Sequence, residues 1–118
     1  MITWIFNKNG DASAFIYNNS VYDKNGNHRL WIVENNLYNG HGTHVGWAEG
    51  GVLYDSDNKV IGFTLDRTRA LPSTPGVSGV PGIPGIGGQP GRPYFSGVPL
   101  RPWYSGWSSF LFEDYIIK

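Results

Sequence analysis

FNKNG at residues 6–10, YDKNG at 22–26, YNGHG at 38–42 and YDSDN at 54–58 are one motif written four times, 16 residues apart. Each copy begins with an aromatic ring, followed by Asn7, Asp23, Asn39 or Asp55, whose side chain can accept a hydrogen bond from the backbone two residues on. Three residues later stands Gly10, Gly26, Gly42 or Asn58, residue types that tolerate a left-handed backbone. That pairing of Asx and Gly/Asn is hairpin-turn chemistry.

Outward from the turns the same period continues. An apolar residue precedes each ring (Ile5, Val21, Leu37, Leu53), and a second ring follows nine residues after the first (Phe15, Trp31, Trp47, Phe63). The residues before those second rings are Ala14, Leu30, Gly46 and Gly62, mostly small, as a close neighbour requires. Polar or Gly-rich return turns lie around YNNS, VENN, AEGG and LDRT. Residues 1 to about 66 therefore read as eight short strands in four hairpins. One hairpin is marginal in water, so four equivalent ones are expected to close into an all-β, pseudo-fourfold arrangement that removes strand edges. No window holds a capped apolar stripe of helical period, and the ending SSFLFEDYIIK is expected to form a turn or a terminal strand.

Past residue 70 the chain changes character. Glycine recurs at 76, 79, 82, 85, 88 and 91, giving the triplets GVS, GVP, GIP, GIG, GQP and GRP. Glycine at every third place with frequent proline is the pattern of polyproline II chains packed at a crowded axis, as in collagen. Three courses are open to this arm: an intermolecular bundle, trimeric if collagen-like; docking along its own or a neighbour's sheet, with glycines marking close approach; or a flexible linker. The segment 94–118 concentrates rings, and Trp103, Tyr104 and Trp107 are expected to pack in an interaction surface, on the repeat domain or across a subunit interface. The organisation is thus a repeat domain over 1–70, an arm over 71–93 and an aromatic docking segment over 94–118.

Composition narrows the function. Nine basic residues balance nine acidic ones, so no charge excess favours nucleic acid or an anionic membrane. The lack of cysteine excludes disulfides, thiolate zinc sites and a Cys nucleophile. The start MITWIFNKNG has no basic, apolar signal pattern and there is no membrane-length apolar run, so a cytoplasmic protein is the default expectation.

Candidate sites are few. Asp55, Asp57 and Asn58, like Asp23, Asn25 and Asn27, have oxygen ligands at calcium-loop spacing, but the required sixth-position glycine is replaced by Val60 and His28, so these read as turn residues. His28, His41 and His44 have no cysteine or carboxylate set to complete a metal shell. Glu34 and Glu49 make a conceivable carboxylate pair without any sign of a shared cleft, and no Ser, His and Asp stand in a nucleophile context. No enzyme, cofactor or metal is expected. The binding candidates are Trp31 and Trp47 with Phe15 and Phe63, a set of equivalent rings that either line an axial pocket for sugars or small ligands or form the core.

The repeated YDKNG, the stretch GWAEGGVLYDSDNKVIGF and the ending RPWYSGWSSF resemble bacterial proteins carrying the 4-fold beta flower domain, over residues 1–66 and about 99–110. The resemblance implies four hairpin petals about a pseudo-fourfold axis and supplies no catalytic residues. Arms in that family are Arg-Pro-rich, whereas this one is mainly Gly-X-Y. The function expected is a non-enzymatic assembly or protein-interaction module, homo-oligomeric through its arm, with carbohydrate or small-ligand binding at the rings as the alternative.

Overall fold

The computed structural model describes residues 2–103 and 106–117. Eight strands form one antiparallel meander: β1 Thr3–Phe6, β2 Ala12–Tyr17, β3 Ser20–Asp23, β4 His28–Val33, β5 Asn36–Tyr38, β6 His44–Glu49, β7 Val52–Tyr54 and β8 Val60–Phe63. Pairing of Phe6 with Phe63 joins β1 to β8 and closes the barrel.

The Asx turns lie at one end and are built alike. Asn7, Asp23, Asn39 and Asp55 each accept two backbone N–H bonds on one side-chain oxygen, from the residues two and four positions on, at 2.9–3.1 Å. Gly10, Gly26, Gly42 and Asn58 take φ of 82°, 88°, 84° and 61°. A β-bulge sits beside every turn, at Ile5/Phe6, Val21/Tyr22, Leu37/Tyr38 and Leu53/Tyr54. The extra residue sharpens the twist, which helps eight short strands to close.

Alternation along each strand sends residues to opposite faces. Ile5, Val21, Leu37 and Leu53 pair with Ala14, Leu30, Gly46 and Gly62 and face the axis, where the aliphatic core of the barrel lies. The rings one position on, Phe6, Tyr22, Tyr38, Tyr54 and Phe15, Trp31, Trp47, Phe63, are buried on the outer face instead. The axial-pocket reading of Phe15, Trp31, Trp47 and Phe63 is corrected accordingly: the axis is aliphatic, and the rings pack across β2/β3, β4/β5, β6/β7 and β8/β1 from outside.

The C-terminus fills the Asx-turn end of the axis. A single helical turn, α1 Phe112–Tyr115, replaces the turn or strand expected there. Phe112, Tyr115 and Ile116 fall at helical spacing on one face, and Phe112 and Ile116 join the axial core at 0% and 4% exposure. Gly62 makes room, since a Cβ there would come within 2.8 Å of Ile5 and 3.2 Å of the Phe112 ring. Asn7 donates to the Glu113 carboxylate, and the Tyr115 hydroxyl donates to the Val45 carbonyl while accepting from Ser56 N–H.

Between barrel and plug the chain encircles its own barrel. Residues 64–69 fold back over the β6–β7 turn, where Thr64 and Thr68 N–H donate to the carbonyls of Gly51 and Gly50. The arm then meets the Asx turns in order: Ser78, Gly87 and Ser96 N–H donate to the carbonyls of Gly10, Gly26 and Gly42 at 2.8–2.9 Å, and Asn58 Nδ2 donates to the Pro102 carbonyl. Trp107 Nε1 reaches Ser73 Oγ at 2.8 Å, so the end of the belt meets its beginning. In this single chain the arm lies along its own barrel, bonded to the Asx turns. The expected role of the arm glycines is corrected: a Cβ on Gly76, Gly79, Gly82, Gly85, Gly88 or Gly91 would meet nothing within 4 Å. The close approach is borne by the barrel, where a Cβ on Gly10, Gly26 or Gly42 would lie 1.7, 2.0 or 2.1 Å from the carbonyl oxygen of Gly76, Gly85 or Tyr94.

Those docking points are nine residues apart, and so is the sequence. STPGVSGVP, GIPGIGGQP, GRPYFSGVP and LRPWYSGWS run head to tail over residues 73–108, with proline at 75, 84, 93 and 102. One belt repeat serves one petal, and the pattern joins the arm to the aromatic segment that follows it.

Two outcomes test this architecture. Phe112→Ala is expected to lower unfolding free energy by about 3–5 kcal/mol in urea denaturation, because it empties the end of the axial core. Gly26→Ala strains a left-handed backbone by about 1–2 kcal/mol and drives a methyl into the Gly85 carbonyl. It is expected to speed proteolytic cleavage within residues 82–90 while leaving the far-UV spectrum of the barrel in place.

Candidate functional site

The outer rings and the belt together form a girdle of aromatic and cationic groups. Phe15 stacks on Tyr22 at 5.5 Å and Phe6 on Phe63 at 5.8 Å. The belt caps the junctions: Phe95 lies 4.6 Å from the Tyr38 ring and 6.3 Å from Trp31, and Trp107 packs against Phe63, Leu71 and Val60. Arginines cover what remains. Arg101 sits 4.7 Å over Tyr54 and 5.4 Å over Trp47, and Arg92 sits 5.1 Å over Phe95 and 5.6 Å over Trp31.

Phe15, Trp31, Trp47 and Phe63 are between 0% and 5% exposed, so the four proposed ligand-binding rings are covered by strands and belt. Two of the three proposed interaction residues are described, and they differ in setting. Trp103 is fully exposed, Trp107 is tucked under the girdle and Tyr104 lies outside the described residues.

Two histidines are built into the girdle. His28 is packed between Tyr22 and Trp31, and His44 between Tyr38 and Trp47, with ring centroids 4.6–5.3 Å apart. His28 Nε2 bonds Ser20 Oγ. His44 Nε2 lies 3.0 Å from Asn36 Oδ1, an acceptor, so Nε2 carries the proton and Nδ1 is a bare lone pair. Burial lowers both pKa values, since charging either imidazole among rings forfeits hydration. His41 stays on an exposed turn. Ala12 and Val60 hold the equivalent places in the first and last petals, so the histidines fill a packing slot.

The acidic candidates separate as well. Glu49, at the end of β6, is held by Arg101 at 2.7 Å and by Arg69, and the Arg101 bond leads in pulling its pKa below the ordinary value. Glu34 occupies the β4–β5 turn at φ 58°. Asp55 and Asp23 each give one oxygen to turn N–H groups, the other oxygen of Asp23 accepts from Arg29 and Asn27, and among the described residues no group of three or more metal-binding side chains converges. No helix among them is long and apolar enough to cross a membrane.

Sequence reasoning missed Arg92, Arg101 and Gln89, which lie on the belt where composition suggested only glycine and proline. Their signal is the nine-residue register, in which Arg92 and Arg101 share one place immediately before proline.

On the outer face, the belt itself is the most exposed apolar element. Tyr94 is 94%, Leu100 97% and Trp103 100% exposed, with Val98 beside them. Tyr94 and Trp103 are one repeat apart, at the place held by Gly76 and Gly85 over the first two petals.

A family model described as 4-fold beta flower protein matches residues 3–116. No curated protein and no solved structure matches the chain.

The histidine slots make stability depend on pH. With folded pKa values below the ordinary 6.5, the unfolded chain binds more protons near that pH, so their contribution is complete above 6.5 and is lost as pH falls through the folded values. Thermal midpoints measured from about pH 7.5 down to about pH 5 are expected to fall, and the His28→Gln/His44→Gln variant is expected to follow a flatter line.

Proposed function

The chain belongs to the 4-fold beta flower family, and from that premise we propose that it works as a non-enzymatic assembly module whose belt presents a docking strip to a second copy of itself. The observation that carries this reading is the exposure of Tyr94, Leu100 and Trp103 on a segment whose backbone is clamped to the barrel. Large rings held on an anchored backbone give up little conformational freedom on binding, which is why such residues dominate protein interfaces. Leaving three of them in water on a flexible tail would place no constraint on a partner; on a ring they face outward at set positions.

A formal net charge of zero supports self-association, because two copies approach without net repulsion near neutral pH. The exposed rings lie on the third and fourth belt repeats, since Gly76 and Gly85 replace them in the first two, where the smaller Val77, Val80 and Ile83 are exposed instead. Association through one side of the disc follows. It uses the outside of the belt and leaves the arm on its barrel, in place of a three-chain collagen-like helix.

Sedimentation velocity over a hundredfold concentration range tests the reading. The native chain is expected to shift to a larger species as concentration rises, whereas Tyr94→Ser/Leu100→Ser/Trp103→Ser is expected to remain monomeric with an unchanged thermal midpoint. A native chain that sediments as a monomer throughout overturns it.

A further inference from the structure

The pseudo-fourfold repeat allows one petal to be read against another. At the β6/β7 junction, Arg101 lies over Trp47 and its guanidinium is matched by the Glu49 carboxylate. One petal earlier, Arg92 lies over Trp31 in the same way, at 5.6 Å against 5.4 Å. The place of Glu49 is taken there by Val33, 16 residues before it and in the same register of the β4–β5 pair. Arg92 makes no ion pair with any described residue.

Where the carboxylate is missing there is a cleft of about 500 Å³, lined by Trp31, Val33 and Arg92 together with Asn18, Asn19 and Gln89. Trp31 is 95% buried, being 5% exposed, and its Nε1 has no hydrogen-bond partner. Buried N–H groups are nearly always satisfied, so an unpartnered one on a residue that lines the cleft makes this indole a reporter of what binds beside it. Gln89 is fixed with its amide nitrogen toward Asn18 O and Ser20 Oγ, and its side chain also bonds the Tyr22 hydroxyl. The remaining rim joins the apolar Ile32 to the amides of Asn18 and Asn19 and the carboxylate of Glu34, which accepts hydroxyls and repels any second negative charge.

From this juxtaposition we infer that the cleft between the β4–β5 junction and the belt is a binding site for a small hydroxylated carboxylate of the sugar-acid class, its carboxylate pairing with Arg92 where Glu49 pairs with Arg101. A planar guanidinium binds a carboxylate through two parallel hydrogen bonds, and stacking over Trp31 and Phe95 holds its plane. The hydroxyls meet Asn18, Asn19, Glu34 and Gln89. The volume suits a ligand of one sugar ring. The inference is independent of the assembly reading, because the strip at Tyr94, Leu100 and Trp103 lines no part of this cleft.

The test uses the full chain labelled with ¹⁵N and titrated with D-glucuronate, D-glucose or sulfate, following the Trp31 indole N–H assigned by its loss in Trp31→Phe. Glucuronate is expected to shift that resonance saturably and to bind at least about tenfold more tightly than glucose or sulfate. Val33→Glu supplies the missing carboxylate from within and is expected to weaken glucuronate binding by about tenfold or more without lowering the thermal midpoint; Arg92→Gln is expected to weaken it equally. Equal responses to sulfate and glucuronate, equal responses to glucose and glucuronate, no saturable shift, or undiminished binding by Arg92→Gln would each overturn the inference.

Discussion

The structure depends on three absent methyl groups. Gly10, Gly26 and Gly42 are needed twice over: their turns demand a left-handed backbone, and the space a Cβ would take is filled by a belt carbonyl. Either demand alone favours glycine, and together they leave no alternative side chain. The same atoms thus end one hairpin and seat the next stretch of belt. Asn58, at the fourth turn, holds the backbone angle but not the close approach, and the belt lies off it on side-chain bonds from Asn58 to Pro102 and from Arg101 to Asn58. Symmetry breaks where the belt must leave the ring and turn inward as the plug.

The petals were legible because their signal is local. An Asx oxygen binding two backbone N–H groups and a left-handed residue three positions later are decided within five residues, so the turns, the period and the closed all-β barrel follow from FNKNG and its copies. Which face of each strand turns inward was not legible. Alternation assigns Ile5 and Phe6 to opposite faces, but here both faces are covered, the inner by aliphatic side chains and the outer by the belt, so ring size misled. The belt was hidden for an arithmetic reason. Nine is a multiple of three, and glycines repeating at nine with extra glycines between them pass for Gly-X-Y until the prolines at 75, 84, 93 and 102 are aligned. The sites followed the same division: the burial of Trp31 and Trp47 could be anticipated, while Arg92 and Arg101 acquire meaning only once the belt is laid on the petals.

Departures from fourfold symmetry locate what is particular to this chain. Trp4 with Ala12, Ser20 with His28, Asn36 with His44 and Val52 with Val60 fill one recurring slot by different chemistry, each small or polar member leaving room or a hydrogen bond for its mate. Such swaps conserve volume while altering polarity, which is how a repeat tolerates drift in one copy. The exchange of Val33 for Glu49 is of another kind, since it alters charge at the edge of a cavity without refilling the volume.

Phe112 and Ile116 insert among residues as distant in sequence as Ile5 and Ala14, so the first strands of the barrel are completed by residues far along the chain. Until the belt is laid the barrel end stays unstoppered and its apolar lining open to solvent, because a contact of such sequence separation closes only after the chain between has been ordered. The seal makes barrel, belt and plug one cooperative unit, in which loosening the belt also opens the interior.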